Sequence, residues 1–332
     1  MAYDGKVLRR ALQRFEEDRQ QRRERFQERR ESIFSRQPRL REIDGELRAT
    51  MSRIISGALR RGADPRPAVE RLREENLRLQ AEKRALLRQM GLPEDCLEEQ
   101  PACALCGDTG YCGGRVCRCL REYYAREQQR ELSRMLDLGS QSFDTFDLDW
   151  YSDRLAPGQR KSARQHMEEK VYNSCAEYAH RFGRKAENLL LFGAPGLGKT
   201  HLSAAIAREV SSRGFSVVYD TAAHVFERFE AQKFGRESGE ADTDVERVLG
   251  CDLLILDDLG TEMTTAFVQS ALYQIVNTRL MEKRSTILNT NLSPEKLAQR
   301  YTPQIASRIE GEYQLLPFVG EDIRKLKRER ES

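Results

Sequence analysis

No stretch of this 332-residue chain approaches the roughly 18 consecutive apolar residues that a membrane-crossing helix needs, and its first residues hold no apolar signal core. A membrane span and a secretory leader are therefore not expected, and a cytoplasmic location is. No internal repeat is visible, which sets aside solenoids and propellers. Aromatic residues make up only 8% of the chain and do not interleave with basic ones, so no stacking platform for single-stranded nucleic acid stands out. Net charge is also small, at +3, yet that balance hides an asymmetry. Residues 1–90 carry 24 Lys or Arg against 15 Asp or Glu, a local net of +9, and the remainder is mildly acidic. Such an excess suits an acidic protein surface as well as DNA.

What is present is a phosphate cradle. The apolar run Leu189-Leu190-Leu191-Phe192 leads into Gly193-Ala194-Pro195-Gly196-Leu197-Gly198-Lys199-Thr200, and a helix-like stretch, Leu202 to Ala207, follows. Glycines at this spacing let backbone N–H groups close around phosphates at a helix N-terminus. Lys199 then neutralises phosphate charge and the Thr200 hydroxyl faces Mg²⁺. About 60 residues on, Leu253-Leu254-Ile255-Leu256 delivers Asp257 and Asp258 at the C-terminal end of a buried strand, where ligands of parallel sheets sit. This pattern predicts Asp257 on the Mg²⁺ shell and Asp258 beside the attacking water. The next strand closes in Asn289-Thr290-Asn291, which makes Asn291 a candidate sensor of the γ-phosphate.

Around this site, strand and helix signals alternate from Ser216 to Leu288, implying a parallel α/β sheet with helices on both faces. Gly235 to Asp244 reads as a surface loop. Upstream, Lys6 to about Arg53 reads as one solvated helix with a narrow apolar face. Gly62-Ala63-Asp64-Pro65-Arg66-Pro67 breaks it, and a coiled-coil-like helix follows on Val69, Leu72, Leu79, Leu86 and Met90. Three regions are expected: a basic helical partner-binding region over 1–92, a cysteine-rich module with a linker helix over 93–140, and the ATPase domain over 141–332.

Five of the eight cysteines fall between Cys103 and Cys119. Cys103, Cys106, Cys117 and Cys119 offer four thiolates across a glycine-rich loop, a donor set that suits structural Zn²⁺. Cys112 and Cys96 are alternative ligands, and a redox or iron–sulfur role and a set of unliganded thiols are the alternatives to zinc. Cys175 and Cys251 read as packing residues.

Gly-Lys-Thr-His-Leu at 198–202, Leu-Leu-Ile-Leu-Asp-Asp-Leu-Gly-Thr-Glu at 253–262, Asn-Thr-Asn-Leu at 289–292, Ser-Arg-Ile at 307–309 and Asp-Ile-Arg at 322–324 resemble the AAA+ ATPases of the DnaC/DnaI helicase-loader and IstB group. The resemblance spans 143–326. It implies an AAA+ P-loop sheet, ATP with Mg²⁺ as cofactors, and His201 at the edge of the nucleotide cradle. It also implies Asn291 as sensor 1, Arg308 as an arginine finger given to a neighbouring subunit, and Arg324 in the sensor 2 place. The cysteine segment is similar to the zinc module of DnaI-like loaders, which IstB proteins generally lack. The implied function is ATP-dependent loading of the hexameric replicative helicase, with single-stranded DNA and further copies of the chain as partners. A transposition-helper ATPase and a nucleotide-switched adaptor with negligible hydrolysis are the alternatives.

Overall fold

The computed structural model describes residues 3–58, 66–136, 141–155, 158, 160–183, 187–234 and 240–331. Its described residues cluster as two units, Arg14–Cys117 on the one hand and Met1–Gln13 with Arg118–Ser332 on the other.

Three helices open the chain: α1 (Gly5–Arg36), α2 (Pro38–Ala58) and α3 (Arg66–Gln89). The single helix expected over 6–53 is thus two. Pro38 has no N–H to donate and a fixed φ, so it is tolerated in the first turn of a helix and ends the one before it. Of the breaker expected at 62–67, residues 62–65 lie outside the described residues, and Arg66 and Pro67 already belong to α3. Within the first unit, Ile33, Phe34, Leu40, Leu87 and Leu97 form a buried cluster against which Leu86 and Met90 pack. Arg39 grips Glu82 with two parallel bonds of 2.8 and 3.2 Å, fixing α2 against α3. A short hairpin, β1 (Tyr111–Cys112) and β2 (Arg115–Val116), follows, and then α4 (Arg118–Leu136).

In the second unit, Ser162 and Gln165 make a capping box at the start of α5 (Ala163–His166). A π-helical turn over Met167–Tyr172 joins it to α6 (Asn173–Arg181). Next come β3 (Asn188–Phe192), α7 (Lys199–Ser212), β4 (Val217–Thr221), α8 (Ala222–Phe234), α9 (Glu240–Gly250), β5 (Leu253–Leu259), α10 (Ala266–Met281), β6 (Ser285–Thr290), α11 (Pro294–Arg300), α12 (Pro303–Glu312), β7 (Tyr313–Pro317) and α13 (Ile323–Glu331). The strands form one parallel sheet in the order β4-β5-β6-β3-β7.

Side chains alternate across this sheet, as the strand period demands. Leu189, Leu191, Ile255 and Ile287 face a core with Met167, Val171 and Ile206, while Leu190, Leu254 and Leu288 face one with Phe226, Leu272 and Ile305. Both faces are covered, which is why the strands read as unbroken apolar runs. The chain's first turns also pack here: Val7 and Ala11 cluster with Tyr124, and Asp4 and Glu131 both pair with Arg247 of α9.

Of the loop expected over 235–244, residues 235–239 lie outside the described residues, and 240–244 are instead the start of α9. Val245 and Val248, three residues apart, are buried and anchor one face of this helix in the core.

Candidate nucleotide-binding site

β3 is central in the sheet, so its C-terminal end opens the loop 193–198 between the edges of β6 and β7. Gly193, Gly196 and Gly198 there all stand at positive φ, and two of them show why no side chain fits. Gly193 has φ +145° and a Cβ on it would stand 2.4 Å from the backbone oxygen of Phe318. Gly198, at φ +85°, caps α7 in the left-handed region beside the Phe146 ring and the Tyr151 hydroxyl. Tyr151 donates from that hydroxyl to the Leu197 carbonyl (2.8 Å), which ties the preceding segment to the loop.

Lys199 is buried, and its Nζ donates to the carbonyls of Gly193 (2.7 Å) and Ala194 (2.8 Å). Burial pulls its pKa down to about 8, against the opposing pull of Asp257 and Asp258, and Arg324 adds to the lowering. Thr200 is half-buried at the first turn of α7. His201 places Nε2 2.9 Å from the Ser142 carbonyl and stacks edge-on with Phe146. Burial lowers its pKa, so a neutral ring is favoured there.

Asp257 is 6% exposed and closely held. Tyr219 donates to Oδ2 (2.6 Å), Asn289 Nδ2 to Oδ1 (3.0 Å), and the N–H of Asp258 to Oδ1 (2.9 Å). Asn289 also donates to Ser203 Oγ (2.8 Å), which lies 3.0 Å from the Tyr219 hydroxyl. Burial, and then the Asp257 charge, push the Tyr219 phenol far up, so it stays a donor. Asp258 turns away at a bulge, φ +54°, where β5 shifts register against β6. Of the non-glycine residues, Asp and Asn enter that left-handed region most readily, which accounts for an aspartate at this corner. Partial desolvation and the neighbouring Asp257 raise the Asp258 pKa, while Lys199 and Arg324 hold it back.

Arg324 therefore lies within electrostatic reach of both Lys199 and Asp258. Its helix is anchored on the cradle: Ile323 N–H donates to the Gly196 carbonyl (3.1 Å) and the Asp322 carboxylate accepts from the Arg324 N–H (2.9 Å). Asn291, by contrast, lies one residue past β6 and is exposed. The side chain that bridges the P-loop helix and Asp257 is Asn289, two residues earlier on the same face of the strand. Strand parity would have flagged it as readily as Asn291. Arg308, on α12, is hydrogen-bonded to α10 of its own chain.

The sulfur atoms of Cys103, Cys106, Cys117 and Cys119 lie within 4.8 Å of one another. Cys103 and Cys117 sulfurs are 3.8 Å apart, close to the edge of a tetrahedron with Zn–S bonds of about 2.3 Å. The Asp108 carboxylate accepts from the N–H groups of Ala102 and Cys103 (both 2.9 Å) and so shapes the first knuckle. This donor set fits zinc. Cys112 is exposed and directs its thiol to the Leu105 carbonyl (3.3 Å); it also meets Cys117 at the edge of the foursome, without being one of the four. Cys96 packs against the Leu87 cluster.

A glycine loop at a central parallel strand, a buried aspartate on the next strand but one and an asparagine strand between them define a P-loop ATPase fold of the AAA+ type. The model of the IstB-like ATP binding protein family matches residues 162–328, and the chain belongs to that family. It is 30% identical over 134 residues to the replicative helicase loader DnaC of Escherichia coli (strain K12), covering 40% of this chain and 54% of that protein. It is 34% identical over 122 residues to the uncharacterized protein YdaV of the same strain, covering 37% and 48%. The chain thus spans about half the length of these curated relatives. Among solved structures, it is similar to the DnaC helicase loader (22% identity, TM-score 0.43, 55% of this chain and 98% of that one) and to DnaI (24%, 0.44, 59% and 93%). No described helix is long and apolar enough to cross a membrane.

Proposed function

We propose that this chain is a cytoplasmic, ATP-hydrolysing loader of the replicative DNA helicase. In this reading the backbone of 193–198, Lys199 and Thr200 hold the triphosphate, with Ala194, Pro195, Gly196 and Leu197 as the wall of the cradle and His201 at its edge. Thr200 and Asp257 hold Mg²⁺, which supplies charge neutralisation at the β- and γ-phosphates. Asp258, its pKa raised, orients and deprotonates water. Asn289 fixes Asp257, Asn291 and Arg324 report on the γ-phosphate, and Arg308 reaches the ATP of a neighbouring copy, so hydrolysis depends on assembly. The helices of 1–92 and a zinc-bound module grip the helicase.

The observation that carries the loader reading is the tetrathiolate cluster ahead of the ATPase domain, since the resemblance gives such a module to loaders and not to IstB proteins. The relatives named as helicase loaders support it. One surface of the ATPase domain supports the proposed contact with single-stranded DNA. Phe234 is 58% exposed, its ring centre 6.3 Å from that of Phe267, and Lys233 Nζ stands 5.2 Å over the Phe267 ring. The exposed Phe234 ring beside a lysine can stack a base and meet its phosphate, with stacking worth roughly 1–3 kcal/mol per base.

The family match favours one rival, a helper ATPase of transposition. Steady-state ATP turnover and capture of purified helicase against purified transposase test the proposal together. Wild type should hydrolyse ATP and retain helicase. Asp258→Asn, which keeps the left-handed corner but removes the charge, should bind ATP without turnover. Phe234→Ala should weaken single-stranded DNA binding alone. Retention of transposase with no helicase would replace the loader reading by the rival, and a wild type without turnover would leave a nucleotide-switched adaptor.

A further inference from the structure

Arg308 is held from two helices. Its Nε donates to Asn277 Oδ1 (3.1 Å), one Nη donates to the Tyr273 hydroxyl (3.2 Å), and the guanidinium carbon stands 4.9 Å from the centre of the Tyr273 ring. A longer bond from the other Nη reaches the Gln304 carbonyl, one turn back in α12 (3.4 Å). Tyr273 and Asn277 are four residues apart on α10 and so share one face of it. Every one of these acceptors is neutral. Among the described residues no carboxylate pairs with Arg308, whereas Arg39, Arg164 and Arg247 each meet at least two. The guanidinium is thus oriented by three of its five N–H groups, while its charge is left unneutralised and two N–H groups remain for an anion. An arginine serving only to pin α12 to α10 would be held as firmly by a carboxylate.

We infer that Tyr273 and Asn277 are positioning residues for the arginine finger: they fix the Arg308 guanidinium, still fully charged, before the γ-phosphate of a neighbouring copy reaches it. The inference rests on the reading of Arg308 as a finger acting in trans. Its physical advantage is preorganisation. A free arginine side chain must surrender its rotamer freedom at the moment of docking, and one already held by a ring face and an amide does not. Neutral supports are required, because an acid at either position would cancel the charge that stabilises the transition state.

The test is kcat and ATP affinity of the full chain at assembly-saturating concentration, with a thermal midpoint for each variant. Arg308→Ala should lose turnover with ATP affinity unchanged. Tyr273→Ala should lower kcat about 10-fold or more at unchanged affinity, and should have no further effect on top of Arg308→Ala. Asn277→Asp discriminates most sharply. A carboxylate there grips Arg308 more tightly, so the thermal midpoint should hold or rise while kcat falls. If Arg308→Ala is inactive but Tyr273→Ala and Asn277→Asp turn over like wild type, or faster, the inference is overturned and the finger stands. If Arg308→Ala itself hydrolyses ATP at the wild-type rate, finger and positioning residues are overturned together.

Discussion

Lys199 carries a charge in a place that resists it. With its pKa brought down to about 8 by burial, the lysine in the free protein loses its proton over a range where an exposed lysine, at 10.5, would keep it. The cost of burying the charge is fully present below pH 8, and it is relieved as pH rises towards 10.5, where the unfolded chain also deprotonates. A bound triphosphate favours the charged form, so binding above pH 8 must draw in a proton. Calorimetric titration with ATP at pH 8.5, in two buffers of different ionisation enthalpy, should show uptake of a fraction of a proton, fading towards zero at pH 7. Affinity should fall as pH rises through 8, and Lys199→Ala should abolish both binding and uptake. Identical heats in the two buffers at pH 8.5 would remove the lysine from this role.

Between elements, the most concentrated device is Arg279. Fully buried, it donates from Nη1 to the carbonyls of Val248 (2.9 Å), Leu249 (3.0 Å) and Cys251 (3.0 Å), from Nη2 to that of Ser285 (2.6 Å), and from Nε to Thr286 Oγ1 (2.9 Å). A helix C-terminus leaves carbonyls without partners, and a cation there also complements the helix dipole. Arg279 satisfies the end of α9 and ties it to α10 and β6. Arg279→Met should therefore cost about 3 kcal/mol or more in chemical denaturation, because several buried acceptors lose their donor at once; a change under about 0.5 kcal/mol would contradict this account. The same arginine explains why α9 could not be read from its own residues. Its polar, small start resembles a loop, and its cap comes from a residue far downstream. The P-loop strand and helix were legible because their signal is local: an apolar run, glycines at fixed spacing, then Lys-Thr. Pro38 was also a local signal for the division between α1 and α2. Strand parity puts Asn289 on the same face as Asn291, but only the order of β5, β6 and β3 shows that it is Asn289 that meets Asp257.

At the scale of the whole chain, two chemistries are joined, a nucleotide cradle and a cluster of thiolates. Between the helix α3 and the hairpin β1–β2 few apolar residues are buried, Leu97 among them, so the segment has little core of its own and the metal would supply much of its folding energy. Metal analysis should find one zinc per chain, and none in Cys106→Ser. Stripping zinc with a chelator should release the helicase while leaving ATP binding intact; a chain that binds helicase equally well without metal would contradict the role given to the module. The two chemistries belong to one function only if the helicase is the partner. The decisive measurement is therefore a sizing-column run of this chain with the replicative helicase of the same organism, in ATP and in ADP. A defined complex that forms in ATP and changes in ADP is the predicted result. No complex in either nucleotide would contradict the loader account.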